Sequence, residues 1–164
     1  MKDILLTFLV AMVPVVELRG AIPFGVVRGL NLWTAIIASM LGNLIPVPFI
    51  ILFIRKIFAW MRAHMPKLDG LVIRMEKKAE KNRAAVEKYA FWGLVILVAI
   101  PLPGTGAWTG ALVAAMMEMR LKRAFPAIAI GVAIAGVIVS VITYGAQAIF
   151  LFRKRYISGT YESE

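Results

Sequence analysis

Glu17-Leu-Arg-Gly-Ala-Ile-Pro-Phe-Gly-Val26 and Pro101-Leu-Pro-Gly-Thr-Gly-Ala-Trp-Thr-Gly110 decide the fold, because each sets helix breakers inside a long apolar run. In hydrocarbon an unpaired peptide group costs several kcal/mol, so non-helical backbone survives at membrane depth only when it is buried in protein or lines a polar cavity. Interrupted apolar segments at matching places in two halves of a chain point to a transport site. The expected breakers are Pro14, Gly20, Pro23 and Gly25 in the first segment, and Pro101, Pro103, Gly104, Gly106 and Gly110 in the second.

Around these motifs the 164 residues are 61% hydrophobic and 17% charged, with mean hydropathy +0.83, a composition that cannot face water as a soluble domain. There is no cysteine and one histidine, His64, which removes thiol chemistry and any histidine-rich metal site, so no metal and no cofactor are expected. The net charge of +10 is concentrated: 10 of the 19 Lys and Arg lie between Arg55 and Lys88, beside apolar spans. That placement reads as orientation by the positive-inside rule, with anionic lipid headgroups as a lesser reading, and not as nucleic-acid binding. Met1-Lys-Asp-Ile-Leu-Leu reads as mature structure, since no small-residue cleavage site follows it.

Four apolar regions follow, Ile4 to Gly29, Leu32 to Phe58, Tyr89 to Met119 and Phe125 to Phe152. The second and fourth are long enough to cross a core of about 30 Å. The first and third are cut near the middle, leaving arms of 12 or 13 residues that span about 20 Å as helix. Met61 to Lys88 places Leu68, Leu71, Val72, Met75, Ala79 and Val86 at helical spacing among charges, an amphipathic helix on the membrane surface or packed beneath the spans. Arg19-Gly-Ala-Ile-Pro aligns with Thr105-Gly-Ala-Trp-Thr at an offset of 86, the difference of 105 and 19. The expected fold is all-α and membrane-embedded, one domain over 1–164. It has two inverted repeats (about 1–60 and 89–155), each a re-entrant helical hairpin followed by a transmembrane helix, with the amphipathic connector (61–88) on the cytoplasmic side.

Glu17 and Arg19 are the only ionisable residues between Asp3 and Arg28, and a charge at mid-membrane costs roughly 3 kcal/mol or more, so each needs a partner or water. One reading gives Arg19 an anionic substrate group and Glu17 a proton to exchange, since a buried carboxylate can alternate between charged and neutral forms; the other is a structural Glu17–Arg19 bridge. Gly20 in the first motif and Gly104, Thr105 and Gly106 in the second would turn amides toward one point, with exit helices beginning near Ala21 and Ala107 aiming positive dipole ends at it; close packing is the equal alternative. The candidate substrate-binding set is Glu17, Arg19, Gly20, Pro23, Asn43, Pro103, Gly104, Thr105, Gly106, Trp108 and Thr109, with Glu17 also the proton-coupling residue. Asn43, flanked by Pro46 and Pro48, sits at an expected kink. Ser140, Thr143, Tyr144 and Gln147 share a face that lines the same cavity or bonds between helices. No acidic pair stands with a histidine and neither Thr105 nor Thr109 has a base within reach by sequence, so no catalytic residue and no enzyme activity are expected.

Both quoted motifs strongly resemble the two signature segments of the bacterial small multidrug export family, with similarity from about Ile4 to Phe152. More distantly the chain looks like the DedA and VTT membrane proteins, built from two facing re-entrant hairpins and including carriers of undecaprenyl phosphate and other lipids. In those relatives an acidic residue on the first hairpin matters, a position Glu17 matches in kind, while Gly104, Thr105 and Gly106 stand where arginines are found in the second. The resemblance implies a multi-pass transporter of the inner (cytoplasmic) membrane. The leading expectation is a proton-coupled carrier of a lipid-linked or small amphipathic anion working by alternating access. The alternatives are a proton-driven exporter of small cationic drugs and a non-transporting scaffold. Membrane lipid and a homodimer are the expected partners.

Overall fold

A computed structural model describes residues 1–65, 69–87, 90–102 and 104–160, and the side chains of all of these except 82–87 and 147–160. Among the described residues eight helices follow in order: α1 (Lys2–Met12), α2 (Glu17–Val27), α3 (Leu32–Leu44), α4 (Pro46–His64), α5 (Asp69–Glu87), α6 (Phe91–Ala99), α7 (Ala107–Met116) and α8 (Leu121–Thr160). Two short helices and then a long one occur twice, as α1, α2 and α3–α4 and again as α6, α7 and α8.

The helices of each short pair have 9 to 11 residues. At 1.5 Å per residue none exceeds about 17 Å, too short to cross a bilayer alone. Among the described residues two stretches are long and apolar enough to cross: Leu32–His64, 33 residues whose most apolar 18-residue window has mean hydropathy 2.2, and Leu121–Ala146, 26 residues whose most apolar window reaches 2.6. The first is α3 continued into α4 through Ile45, which keeps helical angles (φ −58°, ψ −46°) while Pro46 opens α4 without a backbone donor. Large apolar side chains on both stretches face outward, among them Phe49, Leu52, Phe53, Val137, Val141 and Ile142. Trp33, Trp60 and Trp92 are also exposed near helix ends, where amphipathic rings sit at a membrane interface.

Glycines set how closely each half packs. A Cβ on Gly42 would overlap the Phe8 carbonyl of α1, and one on Gly131 would lie 2.6 Å from Val98 Cβ and 2.9 Å from the Val95 carbonyl of α6. So α1 rests backbone to backbone on α3, and α6 rests the same way on α8. Ala127, Gly131 and Ala135, spaced four apart on α8, form a buried stripe of small residues.

The first break differs from the sequence expectation. It lies at Val13–Val16 around Pro14, and Glu17-Leu-Arg-Gly-Ala-Ile-Pro-Phe-Gly-Val is helical throughout. Pro23 removes a single hydrogen bond from α2, and Gly25 fits against Ala35 and Thr7, where a Cβ would be 3.0 Å from each; helix–helix packing outweighs local propensity. The second break falls where expected, between Ala99 and Ala107. The connector packs beneath the body, with α5 against α6 and α7. Of its expected stripe Val72 and Ala79 are buried, Met75 is half-buried and Leu71 is exposed, while Leu68 and the Val86 side chain lie outside the described residues.

Candidate functional site

The breaks at Val13–Val16 and Ile100–Gly106 abut, and α2 reaches across with two ionisable side chains. The Glu17 carboxylate, 3% exposed, accepts a hydrogen bond of 3.1 Å from the Trp108 backbone N–H in the first turn of α7. Its path is opened by Gly106, which caps α7 at φ +112°, ψ −171°; a Cβ there would overlap the carboxylate. The Arg19 guanidinium turns the other way. Its Nη1 donates to the Leu102 carbonyl, and its Nη2 donates to the Ile100 carbonyl at 3.2 Å and to Thr105 Oγ1 at 2.9 Å. Thr105 Oγ1 lies 2.7 Å from the Ile100 carbonyl and 2.8 Å from that of Leu102, donating to one of them.

The electrostatic logic is reciprocal. An α-helix carries partial positive charge at its N-terminus and partial negative charge at its C-terminus. Glu17 meets the amide end of α7 and Arg19 meets the carbonyl end of α6, so one turn of α2 neutralises both ends of the second break. The second half answers with Trp108, whose Nε1 donates to the Met12 carbonyl at the end of α1 (3.1 Å). Thr109, buried, donates to the Gly104 carbonyl at 2.9 Å and closes the Gly104–Gly106 turn. Backbone at the first break is strained, with Val15 at φ +81° and Glu17 at φ +49°; such conformations cost of order 1–3 kcal/mol each and cluster at functional sites.

Glu17, Arg19, Gly104, Thr105, Gly106, Trp108 and Thr109 are therefore brought together. Gly20 and Pro23 belong to the packing of α2, and a Cβ on Gly20 would press on Val16. Pro103 lies outside the described residues. Asn43 is fully buried on α3, yet neither end of its amide has a partner among the described residues, and the same holds for Ser39 Oγ one turn earlier. Replacing Asn43 with Leu should raise stability by about 1–3 kcal/mol, the cost of an orphaned buried polar group. Thermal unfolding in detergent reads this, and a lowered midpoint would mean that the amide has a native partner.

The pairings differ from those the sequence suggested. Glu17 and Arg19 do not pair with each other, because each finds a helix end within reach. The Trp108 amide at the start of α7 is engaged by the protein's own carboxylate, and the Arg19 guanidinium, expected to meet an anion, donates through Nη1 and Nη2 to the Leu102 and Ile100 carbonyls and to Thr105. On the face of Ser140, Thr143 and Tyr144, Ser140 bonds its own helix at the Gly136 carbonyl (2.6 Å) and Tyr144 is exposed, while the Gln147 side chain lies outside the described residues.

Sequence reasoning also missed Lys78. It extends from α5 beneath the second break, where a Cβ on Gly104 would lie 3.4 Å from its Cε, and it stands within electrostatic reach of Glu17. The available signal was its place beside Met75 and Ala79 on the buried stripe of α5.

Short helices meeting end to end at charged breaks, flanked by two stretches long and apolar enough to cross a bilayer, define an all-helical membrane protein with ionisable groups held in its interior. The chain belongs to the family described as "Putative small multi-drug export protein", whose model matches residues 17–138, from Glu17 through both halves of the body. Searches of curated proteins and of solved structures returned no match.

Proposed function

We propose that this protein is a proton-driven exporter of small cationic drugs in the cytoplasmic membrane. In this reading it is built as two inverted repeats whose short-helix pairs are re-entrant hairpins meeting near mid-membrane. The observation that carries the reading is the Glu17 carboxylate, buried and docked on the α7 amide end contributed by the other half. A carboxylate in that position has two ways to be neutralised, by a proton or by a cationic substrate, and the two compete. Either weakens its charge-assisted hold on the Trp108 N–H, so occupancy of Glu17 changes how firmly the halves are joined. A ligand shifts a conformational equilibrium only through such a difference between states.

The repeat is supported by the twice-repeated helix order, by the matched crossings at Gly42 and Gly131, and by the Arg19–Thr105 contact. Those two residues are equivalent at the offset of 86, and equivalent positions touch only near a two-fold axis. Export of a cation is favoured over carriage of a lipid-linked anion because Arg19 Nη1 and Nη2 are taken by the Leu102 and Ile100 carbonyls and Thr105, while the Glu17 carboxylate keeps acceptor capacity beyond its bond from the Trp108 N–H. The family description points the same way.

The test is flux in proteoliposomes under an imposed proton gradient, with ethidium as the probe. Glu17→Gln keeps shape and hydrogen-bonding capacity but cannot ionise, and gradient-driven movement should fall to that of protein-free vesicles. Flux at the unmodified level in that variant would overturn the assignment.

A further inference from the structure

We propose that the basic end of the molecule, where α4, α7 and the start of α8 meet, is a binding site for the headgroup of an anionic phospholipid. Two grooves flank the turn that joins α7 to α8. One, of about 670 Å³, is lined by Ala90, Phe91, Glu118, Met119, Arg120 and Arg123. The other, of about 560 Å³, shares Glu118, Met119 and Arg120 and is walled by Ile51, Leu52 and Lys56. The turn between them is fixed: Glu118 is left-handed at φ +55°, and the N–H groups of Glu118 and Met119 bond back to the carbonyls of Ala115 and Ala114 at 3.2 and 2.9 Å, a capped helix end.

The charge of the site follows from its pairs. Glu118 is bound to Arg55 at 2.6 Å, so those two cancel. Lys56, Arg120 and Arg123 meet no carboxylate within ion-pairing distance among the described residues, which leaves three cations around the two grooves. A free anion has no use for an apolar wall, and a zwitterionic headgroup does not balance three cations. Beside the cations the α4 surface turns apolar, with Phe49, Leu52 and Phe53 exposed; Trp60, on the same helix as Lys56, and Trp92, next to the groove-lining Phe91, are exposed as well. A phosphodiester at the basic rim with acyl chains along α4 satisfies both parts of the surface.

Phosphatidylglycerol and phosphatidylcholine binding to the full chain in a neutral detergent, counted by native mass spectrometry, tests the site. Each cation near an anionic lipid is worth about fivefold in affinity, so Arg120→Gln with Arg123→Gln should weaken phosphatidylglycerol binding by roughly 25-fold. Lys77→Gln with Lys81→Gln on α5 removes the same charge away from the grooves and should leave binding within about twofold. Arg120→Lys with Arg123→Lys preserves charge and should retain binding. The inference is overturned by equal losses in the two Gln pairs, by loss in the Lys pair, by equally tight phosphatidylcholine binding, or by displacement of the lipid with millimolar inorganic phosphate. Because the readout is binding and not flux, it stands or falls separately from the role of Glu17.

Discussion

Replacing Gly106 with Ala is expected to be the most damaging single-methyl change in the protein, costing about 4 kcal/mol or more, because two independent penalties coincide. At φ +112°, ψ −171° the backbone is in a region that only glycine occupies without strain, and the new Cβ would stand where the Glu17 carboxylate lies. The carboxylate would have to leave the α7 amides, which exposes a helix end and strands a charge in the interior. Gly29→Ala is the matched control: Gly29 is also left-handed, at φ +88°, but nothing lies within 4 Å of a Cβ there. Backbone strain alone should cost it about 1 kcal/mol. Thermal unfolding of both variants in one detergent separates the terms. Equal losses would show that the Glu17–Gly106 fit contributes nothing.

The second large effect is expected at Arg19. Arg19→Met keeps the length of the apolar stem but removes every donor, leaving the Ile100 carbonyl at the cap of α6 and the Leu102 carbonyl in the break without their cation and Thr105 without its donor. Hydrogen bonds to a charged group contribute about 1.5–3 kcal/mol each, and since the side chain is partly exposed we expect a net loss of about 3 kcal/mol. Arg19→Lys should recover roughly half, because an ammonium supplies the charge facing the α6 carbonyls but not the planar fork that reaches three acceptors at once. A substrate receptor would behave differently, losing transport while keeping its thermal midpoint. An Arg19→Met protein as stable as the parent would therefore restore Arg19 as a candidate for holding an anion and would weaken the cation reading.

These two positions show why the pairings were beyond sequence reasoning. Glu17 and Arg19 stand two residues apart on one turn of α2, so a local bridge between them is the economical guess. The alternative needs partners 81 to 91 residues away, and neither an amide nor a carbonyl carries a side-chain signature. The Ile100 and Leu102 carbonyls belong to apolar residues that read only as membrane filler. The first motif misled for a related reason. Pro23 and Gly25 are breakers by propensity, but α2 is held on both sides by α1 and α3, and tight packing offsets one missing hydrogen bond.

The amino-acid sequence by itself determined that the chain is helical and apolar enough for a membrane, where the two stretches long enough to cross one lie, where the second break falls, and that ionisable groups sit beside the first. Those properties follow from composition, run length and the backbone limits of proline and glycine, all of which are local. Only the tertiary structure decided that the two breaks abut, that Glu17 occupies the amide end of α7 and Arg19 the carbonyl end of α6, and that Asn43 is left without a partner among the described residues. Whether a polar group in a membrane protein is open to a ligand or already satisfied depends on which helix ends are brought within 3 Å of it, and that distance is set by packing between the halves.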